Sequence, residues 1–282
     1  MSTTTTIQQP SLNLTLQNGE KIFFHSDVSI EADEIPVIDI KGIYNPDVTE
    51  RKALAEHTFK QAKRFFAQPS DRKMVVCTDL VEEYFGYFPM ARYNRNGKKK
   101  KDLMEAYNWG YNPKFDPEVG IDDEPDECVF NILWPKDLPS FKETVYEHHT
   151  QLLTLARRLT KTFALALHLE ENYFDKYVEE PSAAMRLRHY PPQEARIGAH
   201  TNFECFTFVT QDENAGLEST VHRVVNKAGV ERYSYPFFFG FNKDMKLEAV
   251  PTCVSDDNPM KYPIVSSGEY QKRRTEMAKK AV

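Results

Sequence analysis

The feature that most constrains the fold is a strand-rich stretch in the last third of the chain. Segments 203–209 and 219–225 are dominated by apolar and β-branched residues, which are typical of buried strands. Because side chains alternate between the two faces of a strand, His200 and Asn202 are expected to project to one face. His222, in the second segment, is a third potential ligand. The stretch therefore predicts a sheet that carries a metal site.

The candidate ligands are of types that a first-row transition metal binds. Imidazole nitrogens suit such metals, and two histidines with one carboxylate on one side of Fe(II) leave positions open for substrate and oxygen. In this chain an amide, Asn202, stands where the carboxylate is expected. Taken alone, His-x-Asn is a weak signal, because a single histidine on a strand is more often structural than a ligand.

A second pair of polar residues follows a turn signal at 226–229. Arg232 and Ser234 are again expected to share one face of a strand. A guanidinium beside a hydroxyl suits a carboxylate held by two parallel hydrogen bonds. A surface ion pair is the alternative interpretation of Arg232. The ordered set of His200, His222 and Arg232 is more specific than any one of its members.

Five segments of the chain match one known pattern when they are taken in order. They are 34–40, 186–192, 198–207, 219–226 and 231–240, which include Glu-Ile-Pro-Val-Ile-Asp-Ile, Arg-Leu-Arg-His-Tyr-Pro-Pro and Gly-Ala-His-Thr-Asn. Together they resemble the 2-oxoglutarate and Fe(II)-dependent dioxygenase superfamily, in its isopenicillin N synthase-like branch and of a fungal type. The resemblance runs from about residue 35 to about residue 270.

The resemblance implies an α+β fold, a double-stranded β-helix of jelly-roll type with N-terminal helices packed on it. We expect one structural unit made of four segments. These are a flexible N-terminus (1–19), a mixed helical and strand region (20–180), a jelly-roll catalytic core (181–268) and a C-terminal helix (269–282).

The resemblance also implies Fe(II) as the metal and 2-oxoglutarate as the co-substrate. The expected reaction uses O2 to hydroxylate, desaturate or cyclise a small organic metabolite, and it releases succinate and CO2. The implied site residues are His200, Asn202 and His222 for the metal, and Arg232, Ser234 and Tyr190 for the far carboxylate of 2-oxoglutarate.

Aromatic residues crowd together between 81 and 93, in the region that lies near the substrate mouth in the family. An aromatic wall suits an apolar substrate, although packing in the core is the alternative. The expected pocket residues are Tyr84, Phe85, Tyr87 and Phe206.

The sequence departs from the family pattern between the two candidate metal-binding strands. Only 20 residues separate Asn202 from His222, where several strands normally lie. By analogy, the strand of His200 lies antiparallel beside that of His222, so we expect them to stay together with 211–218 as a short connection. We expect the barrel to be incomplete, with unpaired strand edges.

A second departure lies where 51–57 joins directly to 58–66, because the family's Gly-Phe-Phe-type strand and its Asn-His-Gly turn are missing there. A skipped exon, a mistaken gene model or an eroded homologue would each explain two in-frame losses. An alternative function follows: a catalytically inactive dioxygenase-like remnant, or a truncated product, that acts by binding. Asn202 and the two losses favour this alternative, whereas the otherwise intact motif region favours the enzyme.

Apolar residues at spacings of three and four predict that the clearest helix spans 141–169. A further helix is expected to end near Gln68, because proline follows it. The predicted buried face of the long helix comprises Leu152, Ala156, Leu159, Phe163 and Leu167.

Composition excludes several classes of partner. The net charge of −6 and the pI near 5.8 argue against nucleic-acid and anionic-membrane partners. No apolar run is long enough to span a bilayer and no signal pattern opens the chain, which predicts a cytoplasmic protein. The sequence leaves the oligomeric state open. Four scattered cysteines, Cys77, Cys128, Cys205 and Cys253, indicate free thiols.

Overall fold

The chain divides into two compact units, Met1–Asp39 and Ile40–Val282. The computed structural model describes residues 12–15, 21–24, 48–80, 85–90, 103–119, 132–192, 195–200, 204–211, 222–226 and 230–280. In the first unit, β1 (Leu12–Thr15) pairs antiparallel with β2 (Lys21–Phe24). The sequence did not predict this hairpin, because four-residue strands are too short for their pattern to stand out.

Helices α1 and α3 are the long helices among the described residues of the second unit. α1 ends shortly before Pro69, because proline disfavours helical backbone in the residue that precedes it. The helix predicted from 269 begins two residues earlier, at Ser267. The bounds are Val48–Phe66 for α1, Ser70–Met74 for α2, Phe141–Ala166 for α3 and Ser267–Lys280 for α4.

The buried face of α3 differs from the predicted one. Leu153, Ala156 and Ala164 are buried, whereas Phe163 is 48% exposed. The apolar residues of α3 form two overlapping rows at helical spacing. The row that is buried includes both Ala156 and Ala164. Small side chains allow a helix to approach its neighbours closely, which explains why packing selects this row.

The main sheet is antiparallel and has the strand order β3-β4-β5-β9-β7. Two further pairs, β6 with β8 and β10 with β11, form separate two-stranded sheets. The bounds are Gly86–Phe88 (β3), Glu105–Trp109 (β4), Ser182–Tyr190 (β5), Ala195–His200 (β6), Phe206–Gln211 (β7), His222–Asn226 (β8), Arg232–Gly240 (β9), Lys246–Leu247 (β10) and Val265–Ser266 (β11).

The two faces of the main sheet differ sharply in character. One face, here called the helix face, packs against α1 and α3 and forms the apolar core. The other, here called the polar face, carries Arg186, Arg188, Tyr190, Arg232 and Ser234, which the strand register places on one side. The core residues of the helix face include Tyr107, Trp109, Leu187, Tyr235, Phe237 and Phe239, all of them completely buried.

The described strands do not close into a barrel. Within the described residues, β7 pairs with β9 alone and so forms an edge of the main sheet. Val209, on the polar face of this edge strand, is 56% exposed. The prediction of an α+β fold with an incomplete jelly roll is confirmed. None of the helices that the structure describes is long and apolar enough to cross a membrane.

Candidate metal and carboxylate site

Two short strands bring the predicted histidine ligands opposite each other. β6 and β8 pair antiparallel from Ala195–Asn226 to His200–His222, with a register irregularity after Ile197. Residues directly opposite in an antiparallel ladder share a face and have Cα atoms about 4.5–5.5 Å apart. The predicted antiparallel pairing of the two histidine strands is confirmed, despite the short connection between them.

Two histidines at paired positions of a ladder are of a residue type that suits a first-row transition metal, so this donor set fits the Fe(II) that the resemblance implies. Asn202, the predicted third ligand, lies outside the described residues. Among the side chains that the structure describes, no three histidine, cysteine, aspartate or glutamate residues gather into a metal site. Ligation by His200, Asn202 and His222 stays a prediction.

The two histidine strands lie next to the central strands of the main sheet along the sequence, although the two strand pairs belong to separate sheets. β5 ends at Tyr190 and β6 begins at Ala195, while β8 ends at Asn226 and β9 begins at Arg232. β5 pairs with β9 up to the Tyr190–Arg232 pair. The same two chain segments therefore carry first the carboxylate-binding candidates and then the histidines.

Tyr190 and Arg232 face each other across this ladder, with the guanidinium 5.1 Å from the centre of the phenol ring. Stacking of this kind orients the guanidinium. Ser234 is buried two residues along the same face. The Tyr190 hydroxyl is buried and has no hydrogen-bond partner within the described part of the chain. Such an unpaired group costs about 1–3 kcal/mol, so a ligand oxygen here would be stabilising.

Arg188 is a further polar-face residue, which sequence reasoning missed. It lies directly opposite Ser234 on β9 and Ala106 on β4. Its side chain is buried, with 6% of the residue exposed, and its Nε has no hydrogen-bond partner among the described residues. A guanidinium in such a position favours a bound anion.

Arg186 lies on the same face as Arg188. Its Nε donates to Asn108 Oδ1 at 2.6 Å, and its guanidinium lies 4.9 Å from the centre of the Phe88 ring. Alternation through 186–190 was the signal that could have found both arginines. Among the residues that the five described strands of the main sheet place on the polar face, none is Asp or Glu. That part of the polar face is therefore cationic.

A buried charged cluster holds the other side of the same strand segment. His189 lies between two carboxylates, with Nδ1 2.8 Å from Glu105 Oε1 and Nε2 2.9 Å from Glu231 Oε1. Lys73 Nζ and the Tyr87 hydroxyl donate to Glu105 Oε2 at 2.7 and 2.5 Å. These bonds fix β5 at the residue between Arg188 and Tyr190.

The cluster also keeps its central carboxylate ionised. Burial by itself would raise the pKa of Glu105, but hydrogen bonds from His189, Lys73 and Tyr87 outweigh burial and hold that pKa below its ordinary value. Burial and the bond to Glu105 raise the pKa of Tyr87, so its hydroxyl remains a donor.

The predicted pocket aromatics are not gathered on the polar face. Tyr87 lies on the helix face, in the charged cluster. Phe206 also lies on the helix face and packs against Phe239 with ring centres 5.2 Å apart. Phe85 is partly buried just before β3, and Tyr84 lies outside the described residues. Phe88 is the aromatic side chain that the structure places beside Arg186.

Comparison with known proteins identifies relatives over most of the chain. Residues 43–137 match the family described as "non-haem dioxygenase in morphine synthesis N-terminal". The chain is 30% identical to the 2-oxoglutarate-Fe(II) type oxidoreductase hxnY of Emericella nidulans, over 73% of this chain and 72% of the relative. It is 27% identical to the oxidoreductase ppzC of Metarhizium majus, over 86% of each chain.

The Metarhizium alignment also supports internal losses. It spans 323 positions, whereas this chain has 282 residues, and the aligned 86% amounts to about 243 of them. About 80 aligned positions therefore have no counterpart in this chain. The two departures from the family pattern are the places where the sequence predicts such losses.

Solved structures support the fold. A 2OG-Fe(II) oxygenase family protein from Caulobacter crescentus superposes with a TM-score of 0.63 at 22% identity, over 83% of this chain and 87% of that chain. A full-length Neurospora crassa protein, solved in complex with alpha-KG and thymine, superposes with a TM-score of 0.62 at 22% identity, over 84% of this chain and 85% of that chain. The fold of these two structures is consistent with the sequence match to the Emericella relative. The 30% identity to that relative shows that the chain belongs to the family of 2-oxoglutarate-Fe(II) type oxidoreductases.

Proposed function

We propose that this protein uses Fe(II), O2 and 2-oxoglutarate to oxidise a small organic metabolite, by hydroxylation, desaturation or cyclisation. The observation that carries the proposal is that the same two chain segments pair Tyr190 with Arg232 in one ladder and His200 with His222 in another. Family membership supports the same cofactor and co-substrate. Small fungal metabolites, including those of secondary pathways, are the proposed substrate class, and the cytoplasm is the proposed location.

His200 and His222 would hold the iron, with the carbonyl oxygen of Asn202 as the third protein ligand. The iron supplies the redox chemistry that activates O2 when it is bound. A neutral amide oxygen offsets less of the charge of Fe(II) than a carboxylate does, so we expect weaker iron binding than with aspartate. The 2-oxo acid end of 2-oxoglutarate would add a carboxylate ligand of its own.

Arg232 and Ser234 would bind the far carboxylate of 2-oxoglutarate. The guanidinium can donate two parallel hydrogen bonds, and the Ser234 hydroxyl adds a third donor. Tyr190 would orient the guanidinium through its ring and donate to the same carboxylate through its buried hydroxyl. The charged cluster around His189 would keep Tyr190 in register by fixing β5 from its other side.

The expected test result is a visible charge-transfer band when the purified protein is mixed anaerobically with Fe(II) and 2-oxoglutarate. Arg232→Gln should raise the 2-oxoglutarate concentration that half-saturates this band by about 30-fold or more, because one partner of a charged hydrogen-bonded pair is removed. Arg72→Gln, at an exposed position of α2, is the matched control and should leave the titration unchanged.

Absence of the band from a folded sample would contradict the enzymatic proposal. The second candidate function, a dioxygenase-like remnant that acts by binding alone, would then be favoured. Asn202 and the alignment positions missing from this chain are the observations behind that candidate. Succinate release under air separates the two, because only an active enzyme decarboxylates 2-oxoglutarate.

A further inference from the structure

We propose that Arg188 binds a carboxylate of the organic substrate, next to the 2-oxoglutarate site, and that the substrate is therefore an organic acid. This inference rests on the proposed function. The starting observation is that only 6% of Arg188 is exposed and that its Nε has no hydrogen-bond partner among the described residues. A buried cation without a counter-ion is strongly unfavourable, so a site of this kind is built for an anion.

Arg188 pairs with Ser234 across the ladder, so the proposed substrate carboxylate would lie next to the one that the co-substrate brings. Arg232, Ser234 and Tyr190 already supply a guanidinium and two hydroxyl groups, which suffice for one carboxylate. Arg188 lies on the adjacent strand, and its neighbour on the far side is Ala106 on β4. Because the side chain of Ala106 ends at Cβ, it supplies neither a charge nor a hydrogen-bonding group beside Arg188.

The surroundings on that side match an organic acid. Arg186, two residues along the same face, is held by Asn108 and lies over the Phe88 ring. It adds a second positive charge near Arg188, and the ring offers an apolar surface to the carbon skeleton of a ligand. A guanidinium binds a carboxylate through two parallel hydrogen bonds, which fixes the orientation of the molecule that carries it.

The charge balance of the site supports the same conclusion. Fe(II) brings two positive charges, and 2-oxoglutarate brings two negative charges that offset them. The amide of Asn202 contributes none, and Arg188 adds a buried positive charge to the polar face. No Asp or Glu stands on this face in the five described strands. A substrate carboxylate reduces the imbalance, whereas a neutral substrate leaves it in place.

The test uses the full chain loaded anaerobically with Fe(II) and 2-oxoglutarate. The probes are a panel of aromatic and aliphatic monocarboxylic acids, each paired with its methyl ester, and the readout is ligand-observed NMR binding. At least one acid is expected to bind the wild-type protein about 100-fold more tightly than its ester, because the ester leaves the buried guanidinium unpaired. Arg188→Gln should remove this preference, whereas the exposed control Arg72→Gln should keep it.

The same variants show which carboxylate Arg188 binds. Arg188→Gln is expected to change the dissociation constant of 2-oxoglutarate by less than about threefold, whereas Arg232→Gln raises it by about 30-fold or more. An equal loss of 2-oxoglutarate affinity in both variants would assign Arg188 to the co-substrate and overturn the proposal. A panel in which no acid binds more tightly than its ester would also overturn it.

A stability measurement separates ligand binding from a structural role. In the ligand-free protein, Arg188→Met keeps the aliphatic stem and removes the unpaired charge, so its melting temperature should equal or exceed that of the wild type. A clear drop would show that the guanidinium stabilises the fold and would contradict the proposal. If the wild-type protein shows no charge-transfer band, the proposed function is contradicted. The proposal for Arg188 is judged by a different result, the preference for acid over ester, which is measured separately on the same sample.

Discussion

Asn202 occupies the position at which the family resemblance implies an aspartate. At the scale of a single residue, the exchange of one oxygen for an NH2 group removes a negative charge from the proposed metal site. Iron affinity depends on the charge of its ligands. In the proposed site, residue 202 would therefore set how much iron the protein holds at a given concentration.

Asn202→Asp should tighten Fe(II) binding by about 10–100-fold. A change in a residue that only orients a metal ligand has an effect of this size, so a change in a ligand itself should have at least the same effect. Isothermal titration with Fe(II) under anaerobic conditions measures it. Asn172→Asp, in an exposed turn, adds the same charge away from the site and should leave the affinity unchanged. Equal iron affinity in wild type and Asn202→Asp would exclude residue 202 from the metal site.

His149 is a buried, neutral histidine on the core side of α3. Its Nε2–H donates to the carbonyl oxygen of Ala183 at 3.2 Å, and burial lowers the pKa of its imidazole to about 4. Because the folded pKa lies below that of the unfolded chain, stability is fully present above about pH 6.5 and is lost as the pH falls towards 4.

This linkage predicts a loss of about 3 kcal/mol in the free energy of unfolding between pH 6.5 and pH 4. His149→Gln retains a donor for Ala183 and should flatten the slope in urea titrations across that range. His57→Gln, at an exposed position of α1, is the control that should keep it. The lowered pKa values of Glu105 and Asp116 change the free energy of unfolding only at lower pH, below the ordinary carboxyl range near 4. A wild-type stability that is flat from pH 7 to 4.5 would contradict the assignment.

At the scale of elements, one ion pair joins α3 to the turn that follows β4. Arg157 donates from Nη1 and Nη2 to the two carboxylate oxygens of Asp116, both at 2.7 Å, and the Tyr111 hydroxyl donates to the same carboxylate. Burial would raise the pKa of Asp116, but the bonds from Arg157 and Tyr111 hold it below its ordinary value. The carboxylate side chain is fully buried, so its partner cannot be replaced by water.

Asp116→Asn should lower the free energy of unfolding by about 3 kcal/mol, because it removes the buried partner of Arg157 and leaves the exposed Glu118 carboxylate, 3.3 Å from Nη1, as the remaining acid partner in the described part of the chain. Urea denaturation measures the loss. The double variant Asp116→Leu with Arg157→Met should recover much of it, since an apolar pair replaces both charges. Strictly additive losses in the double-mutant cycle would show that the two side chains do not act as a pair.

The elements themselves differ in how far the sequence predicts them. The strands around 186–190 and 232–240 and the helix from 141 are long and periodic, and the structure contains them. The predicted buried face of α3 was wrong, since two rows of apolar residues overlap on this helix and only packing selects the one that is buried. The role of Arg188 was missed because a strand pattern shows which residues share a face but not which of their atoms lack a partner.

At the scale of the whole molecule, the main sheet ends at β7 within the described residues. An unpaired edge strand with an exposed apolar side chain is a template for pairing with another chain. The distance of only 20 residues between Asn202 and His222 predicted such an edge. The sequence did not predict which strand would form it, because that depends on long-range register.

Val209→Lys should reduce concentration-dependent association, because a charged side chain on an edge strand disfavours edge-to-edge pairing. Light scattering during gel filtration measures the apparent mass over a range of concentrations. Val254→Lys, at another partly exposed apolar position, is the matched control. Identical association of both variants and the wild type would show that β7 is not the interface.

The order of the two ladders along the chain has a consequence for how such genes can change. β5 pairs with β9 and β6 pairs with β8, so the two chain segments contact each other in both sheets. The coding sequence between them can be shortened, by splicing or by deletion, while the paired histidines keep their alignment. The two segments form a transferable cassette, which a designer could graft onto an unrelated sheet by joining β6 to β8 with a short turn.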